Sequence, residues 1–223
     1  MNISKYAAAV YTSAICLLPA TCFSQEVSYI NIQKEVREKR VNLINRSYSF
    51  INEAAYKGIR LTEEPEDGIL WLKDIEFKNG TIEFDTRGKD VKQHSFVGIA
   101  FHGTDTTTFE TVYLRPFNFK AVQEPWKSRA IQYVAKPLFT WQVLREQYPG
   151  KYESAITPAP APDSWVHVRL VVQGESIIVY INRSNTPSLT VTKLSTQKTG
   201  SVGLYVADTS GGDFANLTIT KTD

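Results

Sequence analysis

The stretch "WVHVRLVV" (165–172) alternates with a strict period of two. Val166, Val168, Leu170 and Val172 share one side, and His167 and Arg169 take the other. That is the side-chain period of a β-strand with one face in a core. The same pattern recurs from residue 54 onward in "TIEFDT", "SFVGIAFHG", "FETVYLR", "SIIVYIN", "SLTVTKL", "GSVGLYVA" and "DFANLTIT", with turn residues between them. Ten or more strands at a spacing of about 8–12 residues specify an all-β sandwich or barrel. Asn79-Gly80 sits between two such runs as a hairpin signal, and "SIIVYINRSNTPSLTV" reads as a second hairpin. Two stretches read as helical. "EVREKRVNLIN" (35–45) is charged and weakly periodic, and "LFTWQVLREQYPG" (138–150) puts Leu138, Trp141, Leu144 or Arg145, and Tyr148 on about one face. "TPAPAPDSW" (157–165) is a polyproline-like surface loop inside the β pattern.

Ahead of these strands, residues 1–24 have the layout of a secretory signal peptide: one lysine, an apolar run from Tyr6 to Phe23, and small residues flanking Phe23. A buried N-terminal helix, an anchor or a lipoprotein are the alternatives. Both cysteines, Cys16 and Cys22, fall within it. Cleavage near Ser24 leaves roughly 200 residues without a thiol, enough to bury about 70% of the unfolded surface with no disulfide. The expected organisation is therefore a signal peptide (1–24), an N-terminal segment (25–53) and one β-sandwich domain (54–223), secreted or periplasmic. The net charge of +2 is dispersed. That leaves no electrostatic footprint for nucleic acid, and no later segment approaches membrane-spanning length. Nothing in the sequence sets the oligomeric state.

The order "FKNGTIEFDTRG", "SFVGIAFHG", "TVYLRPFNF", "IQY", "DSWVHVRLVVQGESIIVYIN", "SLTV" and "GSVGLYVADTSGGDFANLTI" resembles the concanavalin A-like superfamily over residues 68–220. It is most similar to laminin G-like and 3-keto-disaccharide hydrolase-type domains of secreted bacterial proteins. The resemblance implies a jelly-roll sandwich, with a short helix here in a mid-chain insertion. That superfamily holds lectins, glycan-binding modules, glycoside hydrolases and interaction domains, so fold alone does not choose among them. Its glucanases carry Glu-x-Asp-x-x-Glu on one strand. Here Glu83 and Asp85 match, but Gly88 replaces the third acid. The expectation is that Glu83 and Asp85 lie on a solvated strand face.

The chemistry-bearing residues centre on "FETVYLRPFNF" (109–119). Alternation puts Glu110 with Val112 and Leu114 on the apolar side, and Tyr113 and Arg115 on the other. A charge on the apolar side needs a partner. Arg115, Tyr113, Asn118, Gln132 and Trp126 form the candidate glycan site, because amides, a guanidinium and aromatic faces suit sugar hydroxyls and C–H faces. Glu110 and His102 are the candidate acid or base, with Asp105 placed to orient His102. Trp141 is expected to pack its helix on the sheet. Asp208 and Asp213 in "DTSGGD" are weak calcium candidates. The histidines show no zinc spacing, and there is no nucleophile elbow, P-loop or Rossmann fingerprint. Asn45, Asn79, Asn182 and Asn216 begin glycosylation sequons. The leading reading is a secreted lectin-like domain that recognises a glycan in a cleft. The alternatives are a glycoside or 3-keto-disaccharide hydrolase and an extracellular protein-interaction module.

Overall fold

A computed structural model describes residues 26–222, so the signal-peptide reading lies outside the described residues. The strands are β1 Glu26–Ile30, β2 Val41–Ile44, β3 Tyr48–Asn52, β4 Lys57–Leu61, β5 Gly68–Phe77, β6 Asn79–Arg87, β7 Val97–Gly103, β8 Phe109–Leu114, β9 Ile131–Lys136, β10 Glu153–Ser154, β11 Val166–Gln173, β12 Ser176–Ile181, β13 Leu189–Thr192, β14 Gly200–Val206 and β15 Gly212–Thr222. Two short helices, α1 Ile32–Arg37 and α2 Trp141–Gln147, complete the set. One antiparallel sheet runs β13-β12-β11-β6-β15-β4-β3, with β1 also on β15; the other runs β10-β9-β8-β7-β14-β5-β2. The two form a jelly-roll sandwich.

Alternation explains the interior. The register Val168↔Phe84 and Leu170↔Ile82 stacks the apolar sides of β11 and β6 toward the second sheet. Leu204↔Ile99 and Ile99↔Val112 do the same in the other sheet. Phe77, Phe84, Phe101 and Phe214 are fully buried between the layers, each worth roughly 1.5–3 kcal/mol of transfer free energy. The predicted hairpin of β12 and β13 forms.

Three local expectations are corrected. Asn79-Gly80 is not a hairpin, because β5 and β6 belong to different sheets and the chain crosses between layers there. Gly80 is needed for its φ of 129° and because a Cβ would sit 1.9 Å from the Thr220 carbonyl oxygen of β15. "VNLI" is strand β2 rather than helix. α1 ends at Arg37, Lys39 takes φ 58°, and Val41–Ile44 then pairs with β5, where branched residues gain more from sheet packing than a weak helical pattern offers. The segment 25–53 is therefore not set apart: β1, β2 and β3 are strands of the two sheets. Buried Gln33 of α1 ties it in, donating to the carbonyls of Ile51 (2.8 Å) and Gly58 (3.0 Å).

β7, β8 and β9 are buried on both sides along nearly their whole length. Their inner side meets the other sheet, and residues from the 115–129 and 140–145 segments rise around their outer side. That second covering creates the candidate site.

Candidate functional site

The outer side of the seven-stranded sheet carries Tyr113 of β8 beside Gln132 of β9, in direct register. Gly98 of β7 lies opposite Tyr113, where a Cβ would come within 2.6 Å of the Tyr113 Cα. The glycine lets the two backbones close and brings the Tyr113 and Tyr205 rings to 6.0 Å between centroids. Pro116 then ends the strand and starts a single 3-10 turn, Pro116–Asn118, which leaves Arg115 at the strand end.

Arg115 is only 4% exposed and organises the floor. One Nη2 contact donates to Tyr113 Oη at 2.9 Å, and the Tyr113 hydroxyl donates to Gln132 Oε1 at 3.1 Å. Arg115 also bonds Gln132 Oε1 directly. Its Nη1 donates to the Arg129 carbonyl at 3.2 Å, an oxygen that also accepts from Asn118 Nδ2 at 3.0 Å. Burial lowers the proton affinity of Arg115 and raises the pKa of the Tyr113 phenol. Burial first, then the Asp67 charge, pushes Tyr205 up as well. Both phenols stay protonated near neutral pH and act as hydroxyl groups.

Glu153 of β10 sits across from Gln132. Its carboxylate accepts from Arg129 Nε (3.2 Å) and from Arg145 Nε and Nη2 (3.1 Å each), and it lies 3.7 Å from Arg115 Nη1. Gln132 Nε2 is buried with no partner.

These groups underlie a cleft of about 570 Å³, within the usual range for a small-ligand site. Phe96 and Phe117 meet edge to face at 5.5 Å in its wall. Trp126 lines it with Lys92 Nζ 4.6 Å over its ring, and Trp141 with the Arg145 guanidinium 4.9 Å over its own. Among the lining residues the carboxylates are Asp67 and Asp208. Asp67 is paired with Lys136 and accepts from Tyr205 Oη at 3.0 Å. Asp208 Oδ1 accepts from the Glu66 amide at 2.8 Å.

With this geometry in place, a sequence model of 3-keto-alpha-glucoside-1,2-lyase-like domains matches residues 35–220. The chain belongs to that family. No curated protein matches it. Among solved structures, this family member shares the fold of the carbohydrate-binding module CBM66 from Bacillus subtilis (14% identity, 81% of this chain and 95% of that one, TM-score 0.57). A Bacillus subtilis protein of unknown function with a galectin-like fold is similar (10% identity, 90% and 99%, TM-score 0.58). So is the metal-free carbohydrate recognition domain of Emp46p (14% identity, 86% and 94%, TM-score 0.52).

Arg115, Tyr113, Asn118 and Trp126 line the cleft of this lyase-like domain, and Gln132 lies beneath, bonded to Arg115. Trp141 joins them against expectation. α2 buries only Leu144, leaving Trp141 44% exposed at its first position.

His102 and Glu110 are elsewhere. His102 takes φ 50°, and the register of β14 against β7 shifts between Ser201 and Gly203. This bulge turns the ring from the outer side, where alternation places it, to the interior between the sheets. There Nδ1 lies 2.8 Å from Glu110 Oε1 and Nε2 lies 2.8 Å from the Lys78 carbonyl oxygen. The Tyr133 hydroxyl donates to Glu110 Oε2, and Lys193 Nζ is 3.6 Å from Oε1. Burial, then the Glu110 charge, pushes the Tyr133 phenol far up. Asp105 does not orient His102. It caps its own turn, accepting from the Thr107 and Thr108 amides at 2.7 Å each, which hold its carboxyl at about 2.

Glu83 and Asp85 point away from the cleft, on the outer side of the eight-stranded sheet. Asp85 is not solvated: it is 8% exposed, accepting from Asn216 Nδ2 (2.6 Å) and lying 2.8 Å from His167 Nδ1. The calcium candidates diverge. Asp208 lines the cleft, whereas Asp213 is held by Arg60 (2.6 Å) and Arg87 (2.7 Å). Their donor set does not fit a shared cation, and no group of three or more metal-binding side chains occurs among the described residues.

Proposed function

We propose that the cleft over the seven-stranded sheet binds a carbohydrate. The observation that carries this reading is the combination of Trp126, Trp141 and Phe117 on the walls with a floor of hydrogen-bonding groups in Arg115, Tyr113 and Asn118, the first two fixed from beneath by Gln132. Aromatic rings cover the C–H faces of a sugar while amide, phenol and guanidinium groups pair its hydroxyls. The carbohydrate-binding folds of CBM66 and Emp46p, and a family named for an activity on glucosides, support it. A glycan array with wild type and Trp141→Ala tests the reading. Binding by wild type and its loss in the variant are expected; a wild type that binds no glycan, or a variant that binds equally, overturns it.

The family membership favours a second reading, turnover of a 3-keto-disaccharide. The cleft would then supply Asp67 as base, beside Lys136 and the Tyr205 hydroxyl, and Glu110 and His102 would take no part. Release of a reducing sugar from a 3-keto-disaccharide, abolished by Asp67→Asn, is its signature; no turnover by wild type excludes it.

No helix among the described residues is long and apolar enough to cross a membrane. Export by the N-terminal segment belongs to the same proposal. It predicts mature protein beginning near Gln25 outside the cytoplasm, as N-terminal sequencing would read.

A further inference from the structure

Three guanidinium groups in the wall of the cleft converge on one carboxylate that does not itself line it. Arg115, Arg129 and Arg145 all face Glu153, at 3.7, 3.2 and 3.1 Å. Glu153 offsets one of their charges. Of the two carboxylates that line the cleft, Asp67 is already paired with Lys136. Asp208 accepts from the Glu66 amide and lies beside buried Arg46, which bonds the Ala207 carbonyl at 3.1 Å. The wall around Glu153 thus keeps a surplus of positive charge in a chain whose total charge is only +2.

The surplus is also available. Arg129 spends only Nε on Glu153, and Arg145 spends Nε and one terminal nitrogen. Both line the cleft with about a fifth of the side chain open, 23% and 22%. Lys92 adds a further cation over the Trp126 ring. Guanidinium forks match a carboxylate bidentately, and such charge-assisted bonds are roughly twice as strong as neutral ones. Crowded like charges at a partly buried wall repel one another until an anion arrives.

We infer that the carbohydrate recognised in this cleft is acidic, with a uronate-type carboxylate placed against Arg129 and Arg145 and its ring against Trp141 or Trp126. This rests on the carbohydrate-binding reading above and names the class of sugar.

Calorimetric titration of the protein with oligogalacturonate, oligoguluronate and hyaluronan oligosaccharides, each beside its carboxyl-reduced neutral form, tests it. The glycan array serves as the separate check on sugar binding. The expected result is that at least one acidic oligosaccharide binds on the order of tenfold or more tighter than its reduced form. The preference should shrink in high salt and be lost in Arg129→Gln or Arg145→Gln. Each variant keeps two arginines on Glu153, and an unchanged melting curve confirms its fold. Equal binding of acidic and reduced forms overturns the inference and leaves carbohydrate binding standing. So does binding of neutral array glycans alone. An acidic preference that both arginine variants retain overturns the assignment to this wall. Silence on the array and in the titrations overturns both readings.

Discussion

His102 Nδ1 and Glu110 Oε1 lie 2.8 Å apart in the interior between the two sheets, and neither side chain is more than 1% exposed. A histidine beside a glutamate suggests acid–base chemistry, but neither residue lines the cleft. Its other contacts, to the Lys78 carbonyl between β5 and β6, the Tyr133 hydroxyl of β9 and Lys193, tie three strands of the seven-stranded sheet to the inter-sheet crossing and to the segment after β13. The pair is a structural clamp. Removing one member of such a buried pair strands the other, at a cost of about 3–5 kcal/mol. Glu110→Ala should therefore lower the denaturation midpoint strongly. Affinity for carbohydrate, measured on the fraction that remains folded, should not change.

Trp141 and Leu144 are three residues apart on α2 and predict opposite phenotypes. Leu144 is 1% exposed and Trp141 44% exposed. Leu144→Ala should cost about 2–5 kcal/mol of stability. Trp141→Ala should leave the melting curve nearly unchanged while weakening carbohydrate binding by about tenfold, a typical loss for one stacking aromatic. Melting and calorimetry on the two variants check both.

Arg115→Lys tests the floor. An ammonium has no fork to reach Gln132 Oε1, Tyr113 Oη and the Arg129 carbonyl together. Leaving these buried acceptors short of donors should cost about 1–3 kcal/mol of stability. The affinity should fall further than in a variant at exposed Leu138, measured side by side.

His167 supplies a pH dependence on the opposite sheet. The bond to Asp85, with Glu83 3.5 Å from the other ring nitrogen, raises its pKa above the ordinary value. A raised folded-state pKa stabilises most where the ring is protonated in both states. The contribution is therefore full below the unfolded pKa of about 6.5 and is lost as pH rises through the higher folded value. Urea midpoints taken from acid to mildly alkaline pH should fall across that window in wild type, and His167→Gln should flatten the fall.

Much of this architecture was legible in alternation. The interior residues of β6, β7, β8 and β11 read directly from period two, as did the opposite sides of Glu110 and Arg115. Alternation failed where backbone irregularity intervenes. The bulge that turns His102 inward depends on the register of β14, some hundred residues away in the chain, and no local pattern encodes it. Asn79-Gly80 misled because a turn dipeptide serves an inter-sheet crossing as well as a hairpin. Helical spacing matches Trp141 with Leu144 and so predicts that both pack on the sheet, but a helix of seven residues needs only one anchor. The Arg115 cluster was half visible: "RPF" marked the strand end, whereas Arg129, Arg145 and Glu153 meet there only through the fold.

The four tryptophans give the most direct test of the cleft. Trp126 and Trp141 line it, Trp71 is buried in the seven-stranded sheet, and Trp165 stacks on Tyr56 at 4.3 Å, bonding Glu53. Indole N–H signals followed by NMR during titration with a glycan that the array identifies should shift for Trp126 and Trp141, while Trp165 stays fixed. A shift confined to Trp165, or bound glycan with the Trp126 and Trp141 signals unmoved, would contradict the assignment of carbohydrate binding to this cleft.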